Sequence, residues 1–139
     1  MEYLSESLEE TKEIAENIAK ELKKERIFAL RGELGVGKTA FIQGFAKGLG
    51  ISENIKSPTF VLMNKFCLKK KRNFYHFDFY RIKNKKEVQS LSLEDIFSNK
   101  DNIICIEWPE RIKSILPKDT VYIKIKILGE NKRKIIYGE

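Results

Sequence analysis

The sequence predicts an α/β fold in which a parallel central sheet is flanked by helices and extended by antiparallel strands. Three observations support it: short apolar runs typical of strands buried on both faces, amphipathic segments with helical spacing, and pairs of β-rich runs separated by turns. A chain of 139 residues has room for one core, so we expect residues 1–139 to form a single domain.

The amino-terminal half is predicted to run from helix to strand, glycine-rich loop and second helix. Apolar residues recur at helical spacing over residues 7–24, and Ser7 with Glu10 has the spacing of a capping box. The run Ile27–Leu30 is apolar throughout, which is typical of a buried strand. After the glycines, a second helical stripe covers residues 41–49.

The carboxyl-terminal half is predicted to combine hairpins, short helices and one more buried strand. In chain order these are a hairpin of strands 60–68 and 74–80, a helix over 87–97 interrupted near residue 92, a strand over 103–106, a short helix over 110–116, and a hairpin of strands 120–128 and 133–137.

Composition excludes several classes of protein. No apolar run approaches the roughly 20 residues that a membrane-spanning helix needs, so no membrane contact is expected. The first residues lack the positive end and apolar stretch of a secretory signal, so we expect a cytoplasmic location. Cys67 and Cys105 lie in β-like runs at a spacing that fits no metal motif, and both are interpreted as buried, inert thiols.

The chain is basic, with a net charge of +7 that would attract polyanions such as nucleic acid. Along the sequence, however, the positive residues are scattered among carboxylates. The one dense run, Lys69–Arg72, is interpreted as the polar tip of a hairpin. The pattern therefore favours a solvated surface over a dedicated RNA-binding patch.

The segment Gly32–Thr39 matches the pattern G-x-x-x-x-G-K-[ST] and lies between a predicted strand and a predicted helix. In such a loop, backbone N–H groups converge on phosphate oxygens, Lys38 reaches the β- and γ-phosphates, and the Thr39 hydroxyl binds Mg²⁺. Nothing indicates guanine, so ATP or ADP with Mg²⁺ is the expected ligand. The residues expected to contact it are Glu33, Leu34, Gly35, Val36, Gly37, Lys38, Thr39 and Ala40.

Two carboxylates follow predicted strands and are candidates to serve the magnesium or an attacking water. Asp78 follows the run 74–77, and a period of two places His76 and Asp78 on the same face of that strand. Glu107 follows Ile103–Ile106, the more usual setting for a magnesium carboxylate in a P-loop enzyme. Taken alone, each would also fit an ordinary strand end, and the single histidine is interpreted as structural.

Four motifs occur in order along the chain: GELGVGKT at 32–39, SPTF at 57–60, HFDFYR at 76–81 and IEWPER at 106–111. Together they resemble the TsaE (YjeE) family, bacterial P-loop ATPases of tRNA threonylcarbamoyladenosine biosynthesis. The resemblance implies roles at the nucleotide site: phosphate and magnesium binding by Lys38 and Thr39, a switch-like hydroxyl at Thr59, a magnesium carboxylate at Asp78, and contact beside the γ-phosphate by Glu107 and Trp108. The family more often has aspartate where Glu33 stands, which should not affect binding through backbone N–H groups.

The resemblance also implies a fold and a function. Such proteins have a parallel α/β core with added antiparallel strands, and they act with TsaD and TsaB in the transfer of a threonylcarbamoyl group to the adenosine beside the anticodon. This chain is then expected to be a weak, accessory ATPase stimulated by its partners, meeting tRNA indirectly through the complex. Two alternatives remain open: a small-molecule kinase with a P-loop, and a non-enzymatic basic RNA-binding module.

Overall fold

A computed structural model describes residues 1–33, 35–53, 55–56, 62–83 and 86–138. Its strands are β1 (Glu2–Ser5), β2 (Ile27–Arg31), β3 (Met63–Cys67), β4 (Asn73–Asp78), β5 (Asn102–Glu107), β6 (Val121–Ile127) and β7 (Arg133–Tyr137). Its α-helices are α1 (Leu8–Lys20), α2 (Lys38–Gly48), α3 (Lys86–Gln89) and α4 (Leu93–Ser98), and 3₁₀ helices cover Lys69–Lys71 and Pro109–Ile115.

The described strands form one mixed sheet in the order β1-β7-β6-β2-β5-β4-β3. The four central strands, β6, β2, β5 and β4, run parallel, and β1, β7 and β3 add antiparallel pairs at the two edges. The predicted α/β fold class is therefore confirmed. Strand β1 was not predicted, because four residues are too few to show an alternating pattern; pairing with β7, from Glu2 with Ile136 to Ser5 with Arg133, defines it.

Helices α1 and α2 pack on each other against one face of the sheet. As predicted, the Ser7 hydroxyl caps α1 by accepting a hydrogen bond from the Glu10 N–H at 3.0 Å. Helix α1 ends at Lys20, earlier than the expected residue 24, because the chain must turn before it enters β2. The two helices approach so closely that a Cβ at Gly44 would overlap the Lys12 backbone, with the Lys12 Cα only 2.6 Å away.

The sheet separates two apolar cores. On the α1 and α2 face, Phe28 and Phe45 pack edge to face with ring centroids 5.0 Å apart. On the other face, the side chains of Phe77, Phe79 and Ile104 pack beneath α4 and the following 3₁₀ helix. Burial on both faces explains why β2 and β5 are apolar without alternation.

Some of these expectations are confirmed and others need correction. The interruption expected near residue 92 in the helix over 87–97 is confirmed, because Ser92 adopts a left-handed backbone (φ 53°) between two short helices. Cys67 is exposed on the edge strand β3, whereas Cys105 is buried in β5 and burial raises the pKa of its thiol well above the usual range. The first two residues of the predicted strand 60–68 lie outside the described residues. No helix in the described part of the chain is long and apolar enough to cross a membrane.

Candidate functional site

The glycine-rich loop leaves β2 and enters α2 at the carboxyl ends of the parallel strands. Gly32 has a φ of 155°, and a Cβ there would lie 2.9 Å from the Ile125 carbonyl oxygen on β6, so only glycine allows the loop to start this close to the sheet. Gly37 caps α2 with a left-handed φ of 107°. Of the residues expected to contact nucleotide, Leu34 lies outside the described part of the chain.

Lys38, the first residue of α2, is buried beneath the loop. Only 5% of it is exposed, its Nζ donates a 2.6 Å hydrogen bond to the Gly32 carbonyl oxygen, and the same atom lies 4.1 Å from the centre of the Trp108 ring. Burial lowers the pKa of the ammonium group, while the negative charges of Glu107, Glu110 and Asp78 act in the opposite direction. The loop thus holds a cation at its centre, where phosphate oxygens would lie.

A cavity of about 420 Å³ opens in front of the first turn of α2. Its lining brings together the residues that sequence analysis selected on three segments: Gly35, Gly37, Lys38, Thr39, Ala40, Asp78, Glu107 and Trp108. The first N–H groups of a helix lack intrahelical acceptors and carry partial positive charge, so an anion in this cavity would meet donors, a dipole and an ammonium group.

Asp78 and Glu107 occupy equivalent positions on neighbouring parallel strands. Each is the last residue of its strand, and the two are directly paired in the register of β4 and β5. Asp78 accepts a 3.0 Å hydrogen bond from the Tyr80 N–H. Burial raises the pKa of the Asp78 carboxyl; the hydrogen bond from Tyr80 opposes this, and the charge of Glu107 adds to it.

His76 holds the Glu107 carboxylate from below. Its Nε2 lies 2.7 Å from Glu107 Oε2, and both side chains are buried. An ionised carboxylate can only accept, so this contact assigns the ring proton to Nε2. No hydrogen-bond partner for the buried His76 Nδ1 lies among the described residues. The histidine was interpreted as structural from the sequence, and its contact with Glu107 was not predicted. The one available signal was the shared strand face of His76 and Asp78.

Two aromatic side chains, Tyr80 and Trp108, line the cavity. The rings of Tyr80 and Trp108 are 4.9 Å apart, centre to centre. Trp108 has a left-handed backbone (φ 58°) at the turn between Glu107 and the 3₁₀ helix, a conformation that is costly for a bulky residue and is concentrated at functional sites. A second cavity, of about 560 Å³, lies on the other side of Lys38 and Trp108 and includes the exposed Arg111.

The carboxyl-terminal hairpin also reaches the loop. Arg133, the first residue of β7, donates through Nε to the Val36 carbonyl oxygen at 2.9 Å and through Nη1 to Gly129 and Lys132 carbonyls. The sequence predicts this hairpin but indicates no functional role for it. Nothing in its local pattern indicates a contact with residues 97 positions away.

Comparison with known proteins identifies the family. The family model described as threonylcarbamoyl adenosine biosynthesis protein TsaE matches residues 5–135. This chain belongs to the TsaE family. The predicted resemblance is confirmed, and the family match includes every element that contributes to the cavity.

Relatives of this TsaE-family chain support the assignment. It is 41% identical over 128 residues to a protein of Rickettsia felis named tRNA threonylcarbamoyladenosine biosynthesis protein TsaE, covering 90% of this chain and 72% of the relative. The protein of the same name from Bacillus subtilis is 36% identical over 129 residues, covering 93% and 79%. The crystal structure of Bacillus subtilis YdiB superposes with a TM-score of 0.81 at 31% identity, covering 99% of this chain and 83% of that one.

The donors in this TsaE-family site fit a magnesium nucleotide. Hydroxyl and carboxylate oxygens are the ligands that Mg²⁺ prefers, and the ion usually takes one or two carboxylates together with phosphate and water. Thr39, Asp78 and Glu107 line the same cavity. Among the described residues, no group of three or more His, Cys, Asp and Glu side chains forms a metal site by itself. Thr59, the further hydroxyl suggested by the family resemblance, lies outside the described residues.

Proposed function

We propose that this chain binds ATP and ADP with Mg²⁺ and hydrolyses ATP as an accessory protein in the threonylcarbamoyl modification of the adenosine beside the tRNA anticodon. The observation that carries the proposal is the convergence of Lys38, Asp78 and Glu107 around one cavity at the carboxyl ends of the parallel strands. Ligands of open α/β sheets bind at this edge. The names of the relatives supply the pathway.

Each residue has a distinct role in this proposal. The loop N–H groups and Lys38 bind the phosphates, and Lys38 exchanges its hydrogen bond to the Gly32 carbonyl for the phosphate oxygens. Thr39 and Asp78 would hold Mg²⁺, with Thr59 as a further candidate ligand, and the ion supplies neutralisation of the phosphate charge. Glu107, oriented by His76, accepts a proton from the water that attacks the γ-phosphorus as the bond to the ADP oxygen breaks.

The chain is expected to be a weak ATPase alone, to act with TsaD and TsaB, and to be cytoplasmic. Within the described residues, the only arginine at the two cavities beside Lys38 is Arg111, which is exposed and adjacent to Glu110. An exposed guanidinium stabilises transition-state charge poorly unless a partner covers it and excludes water. A partner that covers this edge would therefore complete the site.

Nucleotide binding is tested by calorimetry with Lys38→Ala. The substitution removes the only ammonium at the centre of the described loop, so ATP binding should become undetectable. Lys47→Ala is the matched control, because Lys47 lies near the other end of α2 and is exposed, 3.7 Å from Glu16. Its affinity should stay within about twofold of wild type, consistent with the small contribution of surface ion pairs. Unchanged ATP affinity in Lys38→Ala would contradict the proposed site.

The two carboxylates are tested by comparing binding with hydrolysis. Asp78→Asn and Glu107→Gln keep the shape of each side chain and remove its charge. Hydrolysis should fall by at least about 100-fold in each, as expected when a general base or an electrostatic group is lost, while ADP affinity changes by less than about tenfold. Wild-type hydrolysis in both variants would make these residues ordinary strand ends.

A further inference from the structure

A groove lined with cations lies at the amino ends of the parallel strands, whereas the nucleotide site lies at their carboxyl ends. It has a volume of about 730 Å³, and its lysines and arginines come from three segments: residues 20–26, residues 69–72 and Lys100. These segments lie directly before β2, β4 and β5. Because the three strands are parallel neighbours, their first residues lie side by side, roughly 20 Å from the carboxylates at the other end of the strands.

The groove carries the whole net charge of the chain. Among the described residues, eight lysines and arginines line it together with a single carboxylate, Glu25; the sequence has 27 and 20 such residues in all. The lining therefore has a net charge of +7, equal to that of the entire chain, and the remaining charged residues balance one another. One lining cation, Lys20, is paired with Glu16 at 2.7 Å. Within the described residues, no carboxylate forms an ion pair with any of the other seven.

Two lysines at the hairpin tip adopt an energetically unfavourable backbone conformation. Lys70 and Lys71 have φ values of 62° and 59°, in the left-handed region where glycine or asparagine would be less strained. The turn is closed by a 2.8 Å hydrogen bond from the Leu68 N–H to the Arg72 carbonyl oxygen. Of the two, Lys70 lines the groove, so this lysine adds charge to it at the expense of local stability.

We propose that this groove binds the phosphate backbone of RNA, with tRNA as its occupant. The choice of tRNA rests on the proposed function, to which it adds a direct contact with the modified substrate. RNA fits better than an acidic protein because the described lining contains no aromatic side chain and its cations are spread over three segments. One of these cations, Arg26, also donates hydrogen bonds to the Phe97, Asn99 and Asn102 carbonyl oxygens. Protein interfaces depend on buried aromatic and arginine anchors, whereas backbone recognition of nucleic acid depends on cations placed against phosphates.

Two variants of equal charge test the location of binding. The groove variant combines Lys24→Gln, Lys70→Gln and Lys100→Gln, one from each segment. The control combines Lys118→Gln, Lys124→Gln and Lys126→Gln, which are exposed and outside the groove. Each loses three positive charges. Fluorescence anisotropy with labelled, unmodified tRNA, over a salt series of about 50 to 200 mM, gives the affinity and its salt dependence.

The groove variant should bind tRNA about 10- to 100-fold more weakly than wild type, and the slope of log Kd against log salt should fall by about 2 to 3. The control should retain most of the affinity. If tRNA affinity fell equally in both variants, binding would depend only on net charge and not on the groove, and the proposal would be overturned. The absence of tRNA binding by wild type at low salt, or tighter binding of polyglutamate than of tRNA, would also overturn it.

ATP calorimetry on the same proteins separates this inference from the proposed function. Both variants should bind ATP like wild type, because none of the substituted residues lines the nucleotide cavity; this also shows that they are folded. If wild type bound tRNA through the groove but failed to bind ATP, the proposed function would be wrong and the groove assignment would stand. If wild type bound ATP but did not bind tRNA through the groove, the groove assignment would be wrong and the proposed function would stand.

Discussion

At the scale of single residues, Lys38 and Trp108 form the most informative contact in the site. The ammonium lies 4.1 Å from the indole ring centre, a cation–π contact, while it also binds the Gly32 carbonyl. Binding of phosphate would draw the ammonium away from both. The indole therefore lies where it can respond to the occupancy of the loop.

Trp108 fluorescence should change when ADP or ATP binds. Trp108 is the only tryptophan in the chain, so the signal has one source. Movement of Lys38 away from the ring removes a nearby positive charge and should shift the emission, with a titration curve that matches calorimetry. The Lys38→Ala variant is the control and should give no change. Constant emission in a wild-type protein that binds nucleotide would contradict the role of this contact.

Asp78 should limit stability at neutral pH. Burial raises the pKa of its carboxyl above the usual 3.8, so the folded state binds this proton more tightly than the unfolded chain does. The resulting stabilisation is present in acid and is lost as the pH rises through the folded-state value. Asp78→Asn should therefore raise the melting temperature at pH 7, although it impairs hydrolysis.

The gain should shrink as the pH falls through the raised pKa of Asp78, because the wild-type carboxyl then becomes protonated. Thermal melts over this pH range measure it, with the exposed Asp119→Asn as control. A gain for Asp78→Asn that grew in acid would have the wrong sign for a half-buried carboxylate whose pKa is raised.

At the scale of elements, the contact between α1 and α2 is set by glycine. Gly44 and Gly48 lie one turn apart on α2 and face the α1 backbone, where a Cβ at Gly48 would lie 2.7 Å from the Ala19 Cβ. The close approach fixes α2, and with it the position of the loop that precedes it. Packing of the two helices thus bears directly on the nucleotide site.

Gly44→Ala should destabilise the protein by about 1–3 kcal/mol, the usual cost of overpacking a core contact, because the Lys12 backbone cannot move without shifting α1. Urea unfolding measures the change. Gly129→Ala is the control, since a Cβ there meets nothing within 4 Å, and its stability should be unchanged or slightly higher. An unchanged free energy of unfolding in Gly44→Ala would show that the two helices can move apart at no cost.

The contact between β7 and the loop should support nucleotide affinity. Arg133→Gln removes the hydrogen bond to the Val36 carbonyl and should weaken ADP binding about 5- to 10-fold, corresponding to about 1–1.5 kcal/mol for one hydrogen bond. Lys134→Gln is the control on the same strand, because Lys134 pairs with Glu2 at 2.9 Å and does not line the cavity. Equal loss of affinity in both would point to the stability of the hairpin instead.

At the scale of the whole molecule, the two ends of the parallel strands have different chemistry. The loop, Asp78 and Glu107 lie at the carboxyl ends, and the cationic groove lies at the amino ends. Nucleotide and a polyanion could therefore occupy the protein together. A protein partner that completes the nucleotide edge would leave the groove exposed.

Stimulation by partners is the expectation at this scale. ATP hydrolysis by this chain should rise when TsaD and TsaB are added, since completion of a P-loop site in trans is worth about 10³ to 10⁵ in rate in GTPases. Multiple-turnover modification of tRNA should require the chain and should fail with Lys38→Ala but not with Lys47→Ala. Turnover that is equally fast without the chain would exclude the accessory role and favour the small-molecule kinase alternative.

The sequence alone determined the fold class and the family, and it predicted the candidate site residues. A strand, a glycine pattern and a helix are local features, encoded in periods of two and 3.6 residues and in the backbone freedom of glycine, so β2, the loop and α2 could be predicted. The assignment of a single domain over residues 1–139 and the roles of the site residues remain predictions.

Only the tertiary structure decided which distant residues meet. Glu107 meets His76 across 31 residues, Arg133 meets the loop across 97, and three basic segments that look scattered along the chain join in one groove. Strand order and register produce all three, and both depend on long-range pairing whose energy is shared among many weak contacts. Local patterns carry no record of that pairing, because each strand would show the same pattern beside a different neighbour.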